Sequence, residues 1–249
     1  MAGLTEQQMF DKLCRFNTPS VGNVVASYPQ HPHCLGLYDP WYGRWYTDDS
    51  VVCLLPGSAP VVGHAVTVVF GLDDPRQPAA SYIDFVDFLL KAPKPCIVVC
   101  EARFPAEVMC RAGIFGGQSG SLYKACGAVG LLTNSPVRDM DEIRSLGLQH
   151  IARGVTSGHG SLSLREFNMT VTVAGMEVGP GDIVHMDDNG ACKFPANRLA
   201  DVCAHIDAFS SEEAEHSRLL LSAADGEGIK AAWKKVLAKG VGLDPRSLS

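Results

Sequence analysis

The stretch FGGQSGSLYKACGAVGLLTNSPVRDMDEI, residues 115–143, decides the fold. It opens on a Gly-rich turn at Gly116-Gly117 and continues through small residues that predict a helix from about Ser119 to Gly127. The run AVGLLTN, residues 128–134, is apolar throughout, as a strand buried on both faces must be. Arg138 and Asp139 then stand side by side in the loop after that strand, about twenty residues beyond the glycine turn.

The segments on either side extend this alternation. APVVGHAVTVVF, residues 59–70, is dense in β-branched residues and predicts a strand. SYIDFVDFLLKA, residues 81–92, is an amphipathic helix, and PCIVVCEA, residues 95–102, a short buried strand. Downstream, NMTVTVAGMEVGPGDIVHMDDNGACKFP, residues 168–195, reads as three or four strands with GPGD and DDNG as turns, the second a hairpin signal. Upstream, Thr5 can cap a helix reaching about Phe16, and a short helix follows near Thr18-Pro19. Acidic residues after Asp139 suit the first turn of another short helix. Strands alternating with helices and ending in hairpins predict one α/β domain over residues 1–249, with helical segments at both ends. The C-terminal helical segment is expected over about 196–240, and an aromatic-rich insert, YPQHPHCLGLYDPWYGRWYTDD, over about 27–50. That insert carries two of the three tryptophans, so its aromatics are expected to pack as a cover.

Bulk properties narrow the function classes. The 249 residues are 46% hydrophobic and 19% charged, the balance of a globular chain long enough for a substantial core. The net charge of -6, with Lys and Arg dispersed, lacks the basic footprint of a nucleic-acid binder. Nine scattered cysteines without a C-x-x-C pair favour reduced thiols over a disulfide framework. The opening MAGLTEQQMFDKL has neither a basic n-region nor a long apolar h-region, and no run is long enough to span a membrane. A cytoplasmic protein that binds neither membrane nor nucleic acid is expected.

The chemistry sits at the two ends of the spacer. A helix N-terminus after a glycine turn presents free N–H groups and a positive dipole end, so the amides of Gln118 and Ser119 can hold a carboxylate or phosphate. Arg138 and Asp139 emerge at the carboxyl end of a strand, the edge of α/β sheets where ligands collect. Arg offers a fork to a carboxylate or oxyanion, and Asp a hard oxygen ligand for Mg²⁺. The competing reading of the same pair is a helix N-cap with a surface ion pair.

The stretch 116–143, followed by ARGVTS at 152–157 and VGPGDIVHMDDNGACKFP at 178–195, resembles the family of the regulator of ribonuclease activity A. That family includes metal-dependent 4-hydroxy-4-methyl-2-oxoglutarate aldolases that also decarboxylate oxaloacetate. The resemblance spans roughly residues 59–224. It implies an α/β sandwich with a swivelling, phosphohistidine-domain-like core, assembled as a homotrimer or a dimer of trimers with sites between subunits. It implies that Asp139 binds Mg²⁺ or Mn²⁺, that Arg138 contacts a small 2-oxo acid substrate, and that Gly117, Gln118 and Ser119 form its carboxylate seat. Glu213 is the match to an acidic residue reaching a neighbour's metal, with Glu212 and Glu215 as competitors.

The chain also departs from that family. Gly117 stands where many active aldolases carry an Asp, Ser81 and Phe85 where they have an Asn and a His, and Gly22-Asn23 where a Ser-Asp is frequent. Without an acid at 117, the expectation tilts to decarboxylation, which needs no hydroxyl deprotonation, or to an aldol substrate whose proton goes to a metal-bound water. The rival function is a non-catalytic trimeric protein that regulates a ribonuclease by contact, using the aromatic insert. Other ligand-like letters have simpler readings: His185, Asp187 and Asp188 belong to a strand and its turn, and His31, His33 and Cys34 lie too close together for a zinc site. His159, flanked by glycines, and Asp84 are further candidates for reaching a cleft, and Cys96, Cys100 and Cys126 read as core.

Overall fold

The computed structural model describes residues 3–238. In chain order the elements are α1 (Glu6–Leu13), α2 (Thr18–Gly22, running into a π-helical turn, Asn23–Ser27), β1 (Val52–Cys53), β2 (Val61–Gly71), α3 (Tyr82–Lys91), β3 (Cys96–Arg103) and α4 (Ala106–Met109). They continue with α5 (Gly117–Ala125), β4 (Ala128–Thr133), α6 (Met140–Leu146), β5 (Gln149–Ala152), β6 (Ser163–Phe167), β7 (Val171–Val173) and β8 (Met176–Val178). The last are β9 (Ile183–Asp187), β10 (Gly190–Phe194), α7 (Leu199–Leu221) and α8 (Gly226–Leu237). Residues 239–240 of the expected C-terminal segment lie outside the described residues. No helix of the described residues is long and apolar enough to cross a membrane.

The chain groups into two compact units. Among the described residues, one comprises residues 3–18 and 44–197, the other residues 19–43 and 198–238. The first holds an eight-stranded sheet in the order β1-β5-β4-β3-β2-β9-β10, with β6 also paired to β2. Strands β2 to β5 run parallel, and the rest join antiparallel. The register explains the apolar runs. Val66, Val98 and Leu131 stand in one row and point into a core with Phe85, Leu89 and Tyr123 of α3 and α5. Val99, Leu132 and Ile151 stand in another and pack with Val171, Val173, Met176 and Val178 of the β7–β8 hairpin. With both faces covered, period-2 polarity is lost and the strands read as continuous apolar text.

Local signals work as read. Thr5 caps α1 and its backbone N–H is met by Gln8 at 2.8 Å, closing a capping box. DDNG makes the β9–β10 turn, pairing Asp187 with Gly190. Strands β1, β5 and β6 were hidden: β1 has two residues, β5 contains Gln149 and His150, and β6 is broken by Arg165 and Glu166. Their ladders are made by neighbours rather than by their own pattern.

His185 and Asp187 are structural. His185 Nε2–H donates to the Leu13 carbonyl at 3.1 Å, its Nδ1 meets the Thr18 hydroxyl at 2.9 Å, and Asp187 accepts the Thr18 N–H at 2.8 Å. They fasten the segment after α1 to β9. Residues 44–50 of the aromatic insert are held on β10: Trp45 O accepts from Lys193 N, and Thr47 N donates to Ala191 O, both at 2.9 Å. In the second unit, Tyr28 stacks on Phe209 with centroids 6.1 Å apart. The expected packing of the insert's aromatics holds for Trp45, which is 4% exposed, and fails for Trp41 and Tyr42, at 81% and 86%. The Asp39 carboxylate accepts both of their backbone N–H groups, at 2.9 and 2.7 Å, and so turns this segment outward.

Burial lowers the pKa of both His150 and His185. The unfolded chain therefore binds more protons below the usual histidine range, and stability is lost as pH falls below about 6.5, by at most about 1.4 kcal/mol per pH unit for each ring. Urea unfolding at pH 7.5 and 5.5 should show a lower midpoint at 5.5; equal midpoints would contradict the buried, neutral assignment.

Candidate functional site

The loop after β4 is tied on both sides by backbone. Val137 bridges in parallel to Phe115 and to Val155. Its N–H donates to Gly154 O and its carbonyl accepts from Thr156 N, each at 2.9 Å, while Arg138 N donates to Phe115 O at 2.9 Å. These bonds bring the glycine turn before α5 against the Arg-Asp pair, as the spacer length suggested.

Asp139 precedes α6 but does not cap it. Its backbone is left-handed, with φ 59° and ψ 47°, and its side chain makes no capping bond. Such a conformation is uncommon outside glycine and costs of order 1 kcal/mol, with Asp among the residues that tolerate it best. The turn sends the carboxylate back over α5 instead, where Oδ2 accepts the Gly117 N–H at 3.2 Å. Arg138 Nε lies 3.2 Å from the same oxygen, with both side chains about one-third exposed. The N-cap reading is thus corrected, while the ion pair is real. Ser119 Oγ accepts the Gly116 N–H at 3.0 Å, and helix geometry leaves the amides of Gln118 and Ser119 without intrahelical partners. Gly117, Gln118, Ser119, Arg138 and Asp139 therefore meet at one helix end beside the carboxyl edge of the parallel strands.

The two glycines have a steric purpose. A Cβ at residue 116 would run into Asp139 Oδ2, with Arg138 Cγ at 3.1 Å. A Cβ at residue 117 would run into the Glu142 carboxylate, with Glu142 Cβ at 2.8 Å. Each glycine thus leaves a notch that a carboxylate from the α6 end fills. Sequence reading missed Glu142, treating it as a helix-start acid; its position three residues after Asp139, opposite an unusually small pair, was the available signal.

Glu213 lies on α7 in the second unit, where Oε1 accepts from Asn23 Nδ2 at 3.1 Å. Burial raises its pKa, and the Asn23 bond opposes this. Its competitors are engaged elsewhere: Glu212 with His31 at 2.9 Å and Glu215 with Arg218 at 2.6 Å. Ser81 caps α3 by accepting from Asp84 N at 3.1 Å, and Phe85 is core. Asp84 and His159 are exposed. Cys100 and Cys126 are buried, as is Cys96, and burial pushes up the Cys96 and Cys100 thiols. A cavity of about 830 Å³ opens at the carboxyl ends of β2 and β3, lined by Arg76, Arg103 and Arg165, but each guanidinium is held by a carboxylate, and neither Arg138 nor Asp139 lines it.

The family model described as RraA-like, Aldolase/RraA, matches residues 39–192, which include the glycine turn, the Arg-Asp pair and Glu142 but not Glu213. The chain belongs to the RraA-like family. Among curated proteins it is 27% identical to Protein DlpA of Legionella pneumophila over 126 residues, half of this chain but only 19% of that protein's length. It is 25% identical to the uncharacterized protein MJ0644 of Methanocaldococcus jannaschii over 166 residues, 66% of this chain and 75% of the relative. Among solved structures it is similar to Streptomyces coelicolor RraAS2, an unusual member of the RNase ES inhibitor RraA protein family. That match has a TM-score of 0.64 at 21% identity and covers 88% of this chain and 99% of the other, which shows a shared α/β fold. The RraA-like family contains lyases as well as non-catalytic ribonuclease regulators.

Gly116→Ala should cost about 1–3 kcal/mol by overpacking against Asp139. In an Asp139→Gly background, which keeps the left-handed turn accessible, that cost should fall below about 0.5 kcal/mol. Additive costs in a urea double-mutant cycle would mean that the notch does not seat Asp139.

Proposed function

We propose that the protein is a divalent-metal-dependent carbon–carbon lyase acting on a small 2-oxo acid. The observation carrying this is the Asp139 carboxylate, turned away from its own helix and laid over the N-terminus of α5 beside Arg138. A carboxylate used only as a cap would not face a ligand edge.

The residues present suit a hard cation of the Mg²⁺ or Mn²⁺ type. Among the described residues no group of three or more His, Cys, Asp or Glu is placed to hold a metal, which disfavours a zinc-like cage. Mg²⁺ is held by one or two carboxylates, with water and substrate completing the shell, and the partly exposed Asp139 carboxylate at this helix end offers that ligation. When bound, the cation supplies Lewis-acid polarisation of the substrate's 2-oxo group. The chain's own groups do the rest. The free amides at Gln118 and Ser119 receive the substrate carboxylate, aided by the helix dipole. Arg138 aims its guanidinium at the oxygen that becomes negative when the bond beyond the oxo group breaks and an enolate forms. Glu213 would complete the site from a neighbouring subunit of a homotrimer or dimer of trimers.

A second reading rests on Trp41 and Tyr42, whose exposure suits a contact surface, and on the likeness to an RNase ES inhibitor family member. In it the protein regulates a ribonuclease by binding alone. Pyruvate release from oxaloacetate separates the two. The lyase reading expects Mg²⁺-stimulated release, abolished by chelator and lowered at least 10²-fold by Arg138→Lys, which cannot supply the fork. Asp139→Asn should lose both turnover and calorimetric Mg²⁺ binding. Metal-independent release, or unchanged Mg²⁺ affinity in that variant, would overturn the reading.

A further inference from the structure

We infer that Glu142 is the proton-transfer residue of this site, standing in space where a side chain at position 117 would otherwise project. The inference rests on the lyase reading above and adds to it a residue and a step. Three observations carry it. First, the Glu142 carboxylate lies over Gly117, and only the missing Cβ at 117 makes room for it. Second, the Asp139 carboxylate fills the neighbouring notch at Gly116, so the two acids sit side by side on the N-terminus of α5, with Arg138 against Asp139. Third, among the described residues the Glu142 carboxylate has no hydrogen-bond or ion-pair partner, whereas Asp141, next to it on α6, is paired with Arg144 at 2.9 Å. Asp139 is engaged and Glu142 is free. That division matches two roles, one acid anchored as a ligand and one able to carry a proton.

The step balances without any further reagent. With a 4-hydroxy-2-oxo acid, Glu142 takes the proton of the 4-hydroxyl. The O–H electron pair becomes the second bond of a new carbonyl as the C3–C4 bond breaks. The electrons of that bond pass to the 2-oxo fragment, whose C2 oxygen carries the charge next to Arg138. The proton held by Glu142 is then delivered to C3, giving pyruvate. Oxaloacetate differs in one respect: carbon dioxide departs with no hydroxyl to deprotonate, so the base is not needed to break the bond. The expectation that the glycine at 117 handicaps aldol cleavage is thereby revised, because an acid is present at that place from another position in the chain.

The test compares two substrates, 4-hydroxy-4-methyl-2-oxoglutarate and oxaloacetate, in the full-length protein with Mg²⁺. Glu142→Gln keeps the shape of an exposed helix residue. It should lower aldol cleavage by about 10²–10⁴-fold, while oxaloacetate decarboxylation stays within about tenfold. The acid limb of the kcat/KM profile for cleavage should vanish in the same variant, a change that a packing role would not produce. Moving the acid supplies the rescue: Gly117→Asp in a Glu142→Gly background, which also removes the Cβ that would meet a side chain at 117, should recover part of the cleavage lost by Glu142→Gly alone. Equal cleavage by Glu142→Gln and wild type, or equal loss of both reactions, would overturn the assignment while leaving the lyase reading standing. A wild-type protein inert towards both substrates would overturn the lyase reading and this inference with it.

Discussion

The bond from the Gly117 N–H to Asp139 Oδ2, 3.2 Å long, is the point on which the candidate site turns. It exists because Val137 is laddered between Phe115 and Val155, and because Asp139 then adopts a left-handed backbone that reverses its side chain. Without the ladder the glycine turn and the Arg-Asp pair would be two loop ends twenty residues apart in sequence. Without the reversal Asp139 would cap α6 and Arg138 would be a surface cation. The site is thus a product of backbone geometry at the carboxyl edge of a parallel sheet, with strain of order 1 kcal/mol held at a residue type that tolerates it.

Much of this was legible in the residues. The apolar runs 61–71, 96–103 and 128–133 marked the parallel strands because both faces of the sheet are covered, and Thr5, Ser81 and DDNG marked boundaries through local hydrogen-bond chemistry. The short strands β1, β5 and β6 were not legible, since polar residues such as Gln149 and Arg165 interrupt them and their pairing depends on neighbours. The division into two compact units was also invisible. Helix α7 and residues 19–43 belong together through contacts such as Tyr28 on Phe209 and Asn23 with Glu213, more than 180 residues apart in the chain.

Within the site, spacing identified Arg138 and Asp139, but it could not say which way Asp139 points. The glycine pair reads as a turn, and Gly117 as a departure from many active aldolases, but neither reading carries its steric meaning. Gly116 and Gly117 are small because two carboxylates occupy their side-chain space. A departure at one position was answered by a residue already present at another, which a column-by-column reading of sequence treats as a loss. Glu142 was hidden for this reason, while Ser81 and Phe85 serve as a helix cap and as core.

The measurement bearing most directly on the central claim is the position of Mn²⁺ by anomalous diffraction from crystals grown with Mn²⁺ and oxalate, a mimic of the substrate's oxo-acid end. One ion per chain is expected, with an Asp139 carboxylate oxygen about 2.1 Å away and oxalate between it, Arg138 and the N-terminus of α5. An ion bound elsewhere, or oxalate lodged away from Arg138, would contradict the account.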